Sequence, residues 1–334
     1  MEPNCTVAPD AVPSDAGVAG IGVLLSFVVT AVISLVLSAT MIFQEVRGRV
    51  RPSVLRRKLL NAYSDQQILT GIGIQCVGLA KMSAMVPYHF FTVWMLSLLS
   101  MAVHNATLLA LVHEYRRDWV LRWLRQFLMF VNLVLSCVYG IFILKSVQRN
   151  LNDKTFPITC AWQNGDNPDA ASSPGGSAPN LGVSYLGTIA VIAGNVVIFG
   201  LATWYLHART QRFYSTVQVA GLALMTASAV GAAIRVIYLS DAFSTPPVPL
   251  SDPGEQEWSF GQLLSIGMLL LPLVSAVEIL RGEIRYSSAL LDDGDDRRRL
   301  VLPGGENELQ QNPKVRSSFQ PNPFWGSQSN LFKK

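Results

Sequence analysis

Seven stretches of this chain are long and apolar enough to cross a membrane, and that decides most of what it can fold into. They run approximately 17–43, 67–86, 88–112, 127–146, 184–206, 216–240 and 259–280. A spanning helix needs about 20 mostly apolar residues. Within a bilayer the backbone must satisfy its own hydrogen bonds, so each stretch reads as a helix. The expected fold is all-α, a seven-transmembrane-helix bundle. Charge agrees: 14% of the residues are charged, against roughly 25% in soluble domains. The segment before the first stretch, "MEPNCTVAPDAVPSDAG", has no Lys or Arg. The apolar run that follows is too long for a signal peptide core, so it reads as a retained first span.

Basic residues orient the bundle. "QEVRGRVRPSVLRRKLL", "HEYRRDWVLRWLRQ" and "HARTQRF" follow spans 1, 3 and 5 and fall on one side if every span crosses. The opposite side holds an acidic N-terminus, a turn at Pro87-Tyr88, a long polar loop at 147–183 and the acidic "DAFSTPPVPLSDPGEQEW". The positive-inside rule then puts residues 1–16 outside the cytoplasm and 281–334 within it. The tail from about 286 is rich in Pro, Gly, Ser and Asn, a composition that predicts disorder. A short cytosolic helix is expected through "SVLRRKLLNAY". A net charge of +4 is too small to argue for nucleic acid. The partner implied throughout is the lipid bilayer.

Span 2 begins "SDQQ". Ser64 and Gln67 fit a capping box that starts the helix at the cytosolic surface. A hairpin about Pro87-Tyr88 would set Gln75 beside Ser100, Thr70 and Gly71 beside His104, and Gln67 opposite Leu108. At about 100° per residue, His89, Ser97, Ser100, His104 and Thr107 share one arc of span 3, which should face the interior. Two readings stand side by side. One is helix packing through small and hydrogen-bonding side chains. The other is a polar cavity formed by Gln67, Thr70, Gln75, Ser100, His104 and Thr107.

Three charges lie within spans. Lys81, about 9 Å from the outer turn at ~1.5 Å per residue, can snorkel to the headgroups or meet Trp94, or else hold an anionic group or a proton. Arg235 is near the outer end of span 6 and can snorkel. Glu278 is near the inner end of span 7, three residues before Arg281. The small residues of span 6, Ala227 and Gly231 among them, suggest a closely packed interior helix. Pro272 should kink span 7. Cys5 and Cys160 are the two cysteines on the outer side, and a disulfide between them is expected in an oxidising compartment. Asn4-Cys5-Thr6 is a glycosylation sequon, so Asn4 is a candidate acceptor.

No reaction is legible. The four cysteines have no zinc-site spacing. The four histidines cannot assemble a histidine-rich iron site, and no acidic residue lies at mid-membrane. Phosphate-binding, dinucleotide and nucleophile-elbow motifs are absent. No metal, cofactor or catalytic residue is therefore assigned.

"VAGIGVLLSF", "LNAYSDQQILTGIGIQ" and "YHFFTVWMLSLLSMAVHNATLLAL" resemble a group of uncharacterised multi-pass membrane proteins of filamentous fungi. Ser64, Asp65, Gln66, Gln67, Tyr88, His89 and His104 occupy that group's pattern positions. The likeness covers roughly residues 15–145 and implies topology and source, with no activity attached. The sequence is read as a non-enzymatic membrane protein, a small-molecule sensor or receptor-like protein. A membrane-embedded enzyme or accessory factor of fungal specialised metabolism is the alternative. A transporter is the third reading, weakened by the lack of visible inverted repeats.

Overall fold

The computed structural model describes residues 5, 7–48, 54–117, 119–149, 151, 155–162, 181–207 and 214–299. The described helices are α1 (Ala16–Ala19), α2 (Ile21–Val46), α3 (Val54–Ala80), α4 (Pro87–Ala110), α5 (Val112–Arg117), α6 (Trp119–Gln148), α7 (Leu181–His207), α8 (Tyr214–Leu239) and α9 (Phe260–Arg299). A short 3-10 helix, Ile158–Trp162, lies in the loop after α6. Six helical stretches among the described residues are long and apolar enough to cross a bilayer. α3 is long enough but more polar, because its first half carries Arg56, Arg57, Lys58, Asn61, Asp65, Gln66 and Gln67. The exterior keeps large apolar side chains in the open, from Val32 and Val36 to Leu270 and Leu271. The protein is a multi-pass membrane protein of all-α architecture.

The bundle is built around α4, where every residue except Phe91 and Ala110 is buried. α2, α3, α6, α7 and α8 all pack against it. α8 turns one face to α4 through Leu222, Met225, Ala229, Ala232 and Val236. Its small residues lie elsewhere. Ala227 and Gly231 are exposed, and a Cβ at Gly231 would meet nothing within 4 Å. The close packing expected there is absent, since the stripe faces a cavity.

The α3–α4 hairpin differs from its expected form. α3 starts at Val54 and runs unbroken through Ser64. The proposed short helix and span 2 are thus one helix, and Ser64 is buried inside it rather than capping it. Pro87 belongs to α4, at the position of the first turn where a missing N–H costs nothing. The reversal instead uses residues 81–86. The register shifts by one helical turn: Ser100 faces Gly71, not Gln75, close enough that a Cβ on Gly71 would lie 2.9 Å from that of Ser100.

One end of the bundle is acidic and the other basic. At the acidic end Val12 bridges Leu250. The Ile158 amide donates to the Met85 carbonyl at 2.8 Å. Cys5 and Cys160 are joined as a disulfide, with Cα atoms 5.7 Å apart. The N-terminal segment, the α3–α4 turn and the loops before α7 and α9 thereby form one cap. Asn4 lies outside the described residues.

Two compact units follow one another along the chain, Met1–Glu283 and Ile284–Lys334. The first contains the bundle. In the second, residues 284–299 are helical although composition predicted disorder from about 286, and the remainder lies outside the described residues.

Candidate ligand cavity and buried polar networks

The six polar residues that one of the two readings grouped around a cavity are divided among four environments. Gln67 and Thr70 line a space of about 220 Å³ between α2, α3 and α9. The Gln67 Nε2 is buried there without a hydrogen-bond acceptor. Gln75 turns instead to α6 and donates to Asn132 Oδ1 at 2.5 Å. Thr107 donates to its own helix at the Val103 carbonyl, 2.8 Å away. Ser100 Oγ donates to the Gln67 carbonyl at 2.7 Å and lies 3.4 Å from His104 Nε2. His104 Nδ1 is 3.0 Å from Ser64 Oγ. Gln67, Ser100 and His104 are thus joined through hydrogen bonds that tie α3 to α4, with no ligand-sized volume between them.

His104 and Ser64 also form the wall of a small space of about 20 Å³ at the basic end, room for one water. Its remaining polar lining is a network across α3, α5 and α6. Arg125 donates to Asp65 at 2.5 Å and to Asn61 at 2.8 Å, and bonds the Tyr115 hydroxyl. The guanidinium also lies over the Tyr115 ring, 4.9 Å from its centroid. Burial pushes the Tyr115 phenol up. Burial also raises the Asp65 carboxyl above its usual range, against the pull of Arg125. Arg57 and Glu114 pair beside this network at 2.8 Å.

A second network closes the acidic end around Glu255, which is 0% exposed. His89 Nε2 meets one carboxylate oxygen at 2.6 Å and the Tyr88 hydroxyl donates to the other at 2.7 Å. The Asp241 amide in turn donates to the Tyr88 oxygen at 3.0 Å. Lys81 sits in the reversal after α3 with its Nζ 2.8 Å from Asp15. Its partner is this acid rather than Trp94, whose indole N–H donates to the Ser136 carbonyl at 3.1 Å. Hydrogen bonds from the Ser14 hydroxyl and from the Ser14 and Gly254 amides hold the Asp252 carboxyl at about 2. Glu278 and Arg281 are both exposed on α9.

A ligand-sized space against the central helix lies elsewhere, between α4, α6, α7 and α8. It encloses about 570 Å³, within the 300–1,000 Å³ usual for small-molecule sites. Phe91, Trp94 and Leu98 supply one wall, Ile143 and Val191 the sides, and Ala227 and Gly231 the wall opposite. Small residues on α8 are what leave it open. Pro87, Tyr88 and Pro247 surround its end nearest the acidic cap, and Arg235 is the one cation among its described lining residues. Glu255 therefore stands one residue away from the cavity, through Tyr88. Among the described residues, no three His, Cys, Asp or Glu side chains converge as a metal site would require.

The chain matches no family model, no curated protein and no solved structure. Function must accordingly be read from these side chains alone.

Sequence reasoning singled out Arg235 but missed the cavity it lines. The signal is present in the small residues of α8, whose pattern in sequence is the same for a packing face and for a cavity wall. Glu255 was missed because it lies in a loop, where no periodicity marks a buried position. Arg125 was hidden in the Trp and Arg alternation of "WVLRWLRQF", and Asp65 in an apparent helix start.

Proposed function

We propose that the protein is a receptor-like, seven-span membrane protein with its N-terminus outside, and that it senses a small molecule held between α4, α6, α7 and α8. The observation that carries this is the cavity of about 570 Å³ against the central helix. A ligand there touches α4 directly, and α4 packs against α2, α3, α6, α7 and α8 among other helices, so occupancy can bias the packing of the bundle. The seven-span topology rests on loop charge and on α3, which reaches from His104 near the basic end to Tyr139 and Val93 near the acidic end. The likeness to uncharacterised fungal membrane proteins brings no activity with it.

Filling the cavity tests the reading. Ala227→Leu with Gly231→Leu places side chains in open space and should leave insertion and thermal stability intact. In cells, the filled variant should reproduce the transcript and metabolite profile of a deletion strain. A filled variant that inserts normally and restores the wild-type profile would remove the cavity from the function.

A further inference from the structure

We infer that the cavity takes a single-chain amphiphile with an anionic head, its carboxylate or phosphate on Arg235 and its chain along α4. This rests on the ligand-cavity reading above and adds the ligand's chemical class. The first observation is polarity that changes with depth. Tyr88, Thr188 and Arg235 gather toward the acidic end of the bundle, while Met95, Leu98 and Ala227 line the far end. From Pro87 to Leu98 is about 16 Å at ~1.5 Å per residue, so the space is long along the helix axis and apolar for most of that length. A compact polar ligand would leave the deep part empty, and a wholly apolar one would leave the arginine facing hydrocarbon.

The second observation is that Arg235 has no counter-ion among the described residues. It makes no hydrogen bond or ion pair among the described residues, and no acidic side chain lines the cavity with it. The membrane-edge lysine, Lys81, is by contrast paired with Asp15. A guanidinium presents a planar fork of donors that fits a carboxylate or phosphate in two-point contact. Arg235 lies four residues before the end of α8, about 6 Å at ~1.5 Å per residue. That is the depth at which the head of a membrane-dissolved amphiphile would sit with its chain pointing inward. A two-chain phospholipid exceeds the volume, so a single chain is assigned.

Trp94 on the cavity wall supplies the probe, since bromine quenches indole fluorescence at contact. The full-length protein is placed in phosphatidylcholine nanodiscs and titrated with 9,10-dibromostearic acid and, separately, with the dibrominated alcohol of the same length. The Trp94 contribution is the difference from Trp94→Phe. The acid should quench this component saturably, and the alcohol about tenfold more weakly. Arg235→Gln should weaken the acid about tenfold and leave the alcohol unchanged, with Arg235→Lys between the two. Competition by unlabelled oleate or by lysophosphatidate then separates a carboxylate from a phosphate head. Equal binding of acid and alcohol, or no effect of Arg235→Gln, would overturn the inference and assign Arg235 to bilayer headgroups while the cavity stands. Absence of saturable quenching by either compound would remove the cavity reading itself.

Discussion

At the scale of single residues, the polar side chains of the bundle serve mainly to fix helices against one another. His104 shows this. It joins Ser64 on α3 to Ser100 on its own helix, the arrangement that the packing reading of span 3 describes rather than the open polar cavity of the other. Arg125 does the same work at the basic end and carries a clearer energetic consequence. Its side chain is 11% exposed while that of its partner Asp65 is 51% exposed. Breaking a fully buried pair costs about 3–5 kcal/mol. With one partner half in solvent, Arg125→Ala should cost about 2 kcal/mol. The pH dependence follows from Asp65, whose carboxyl burial already raises. Without Arg125 its pKa rises further. A folded-state pKa above the unfolded value favours the protonated carboxyl, so the stability linked to it is present at low pH and is lost as pH rises through the folded value. The deficit of Arg125→Ala, measured by thermal unfolding in micelles, should therefore be largest near neutral pH and shrink as pH falls through the raised folded-state value of Asp65. A deficit independent of pH would show that Asp65 is not the group left uncompensated.

At the scale of elements, the existence of each helix was legible because an apolar run of spanning length has no other stable fate in a bilayer. Boundaries and registers were not. Ser64 and Gln67 have the spacing of a cap, yet α3 already has ten residues of helix before Ser64, so the same side chains face α4. Pro87 can end one helix or begin the next, and the first-turn position of α4 decided for the second. The resulting register is a close approach of α3 to α4. A Cβ on Gly71 would lie 2.4 Å from Ser100 Oγ, whereas one on Gly73 would meet nothing within 4 Å. Gly71→Ala must move Ser100 off the Gln67 carbonyl or push the helices apart, and should cost about 1–3 kcal/mol. Gly73→Ala removes backbone freedom without a clash and should be neutral or stabilising by up to about 1 kcal/mol. The cost of Gly71→Ala should fall in a Ser100→Gly background, because the two positions share one contact. Unfolding of the wild type, the three single variants and the double variant measures all three. If Gly71→Ala and Gly73→Ala behave alike, the expected register with Gln75 beside Ser100 is the better one.

At the scale of the whole molecule, the disulfide and the topology are one question. The cysteine pair closes a sequence separation of 155 residues and ties the N-terminal segment to the loop before α7. The same cap is held by Thr155 donating to the Pro9 carbonyl at 2.6 Å, by Val12 against Leu250, and by the Ser14–Asp252 hydrogen bonds. A bridge of this kind persists where the compartment is oxidising, which is the side that loop charge assigns to the acidic end. Two measurements then have to agree. Alkylation of the denatured, unreduced protein should label two cysteines, Cys76 and Cys137, which are free, and labelling after reduction should reach all four. In sealed vesicles, tags at the N-terminus and at residue 165 should share one side, and a tag at residue 320 the other. Cys5→Ser with Cys160→Ser should leave the helices in place and make the first residues of the chain more readily cleaved by protease added on the acidic side, because their covalent tie to the loop before α7 is then gone. Four labelled cysteines before reduction would place the acidic end in a reducing compartment. The loop-charge assignment would then have to be inverted, with Arg235 and its cavity at the cytosolic face.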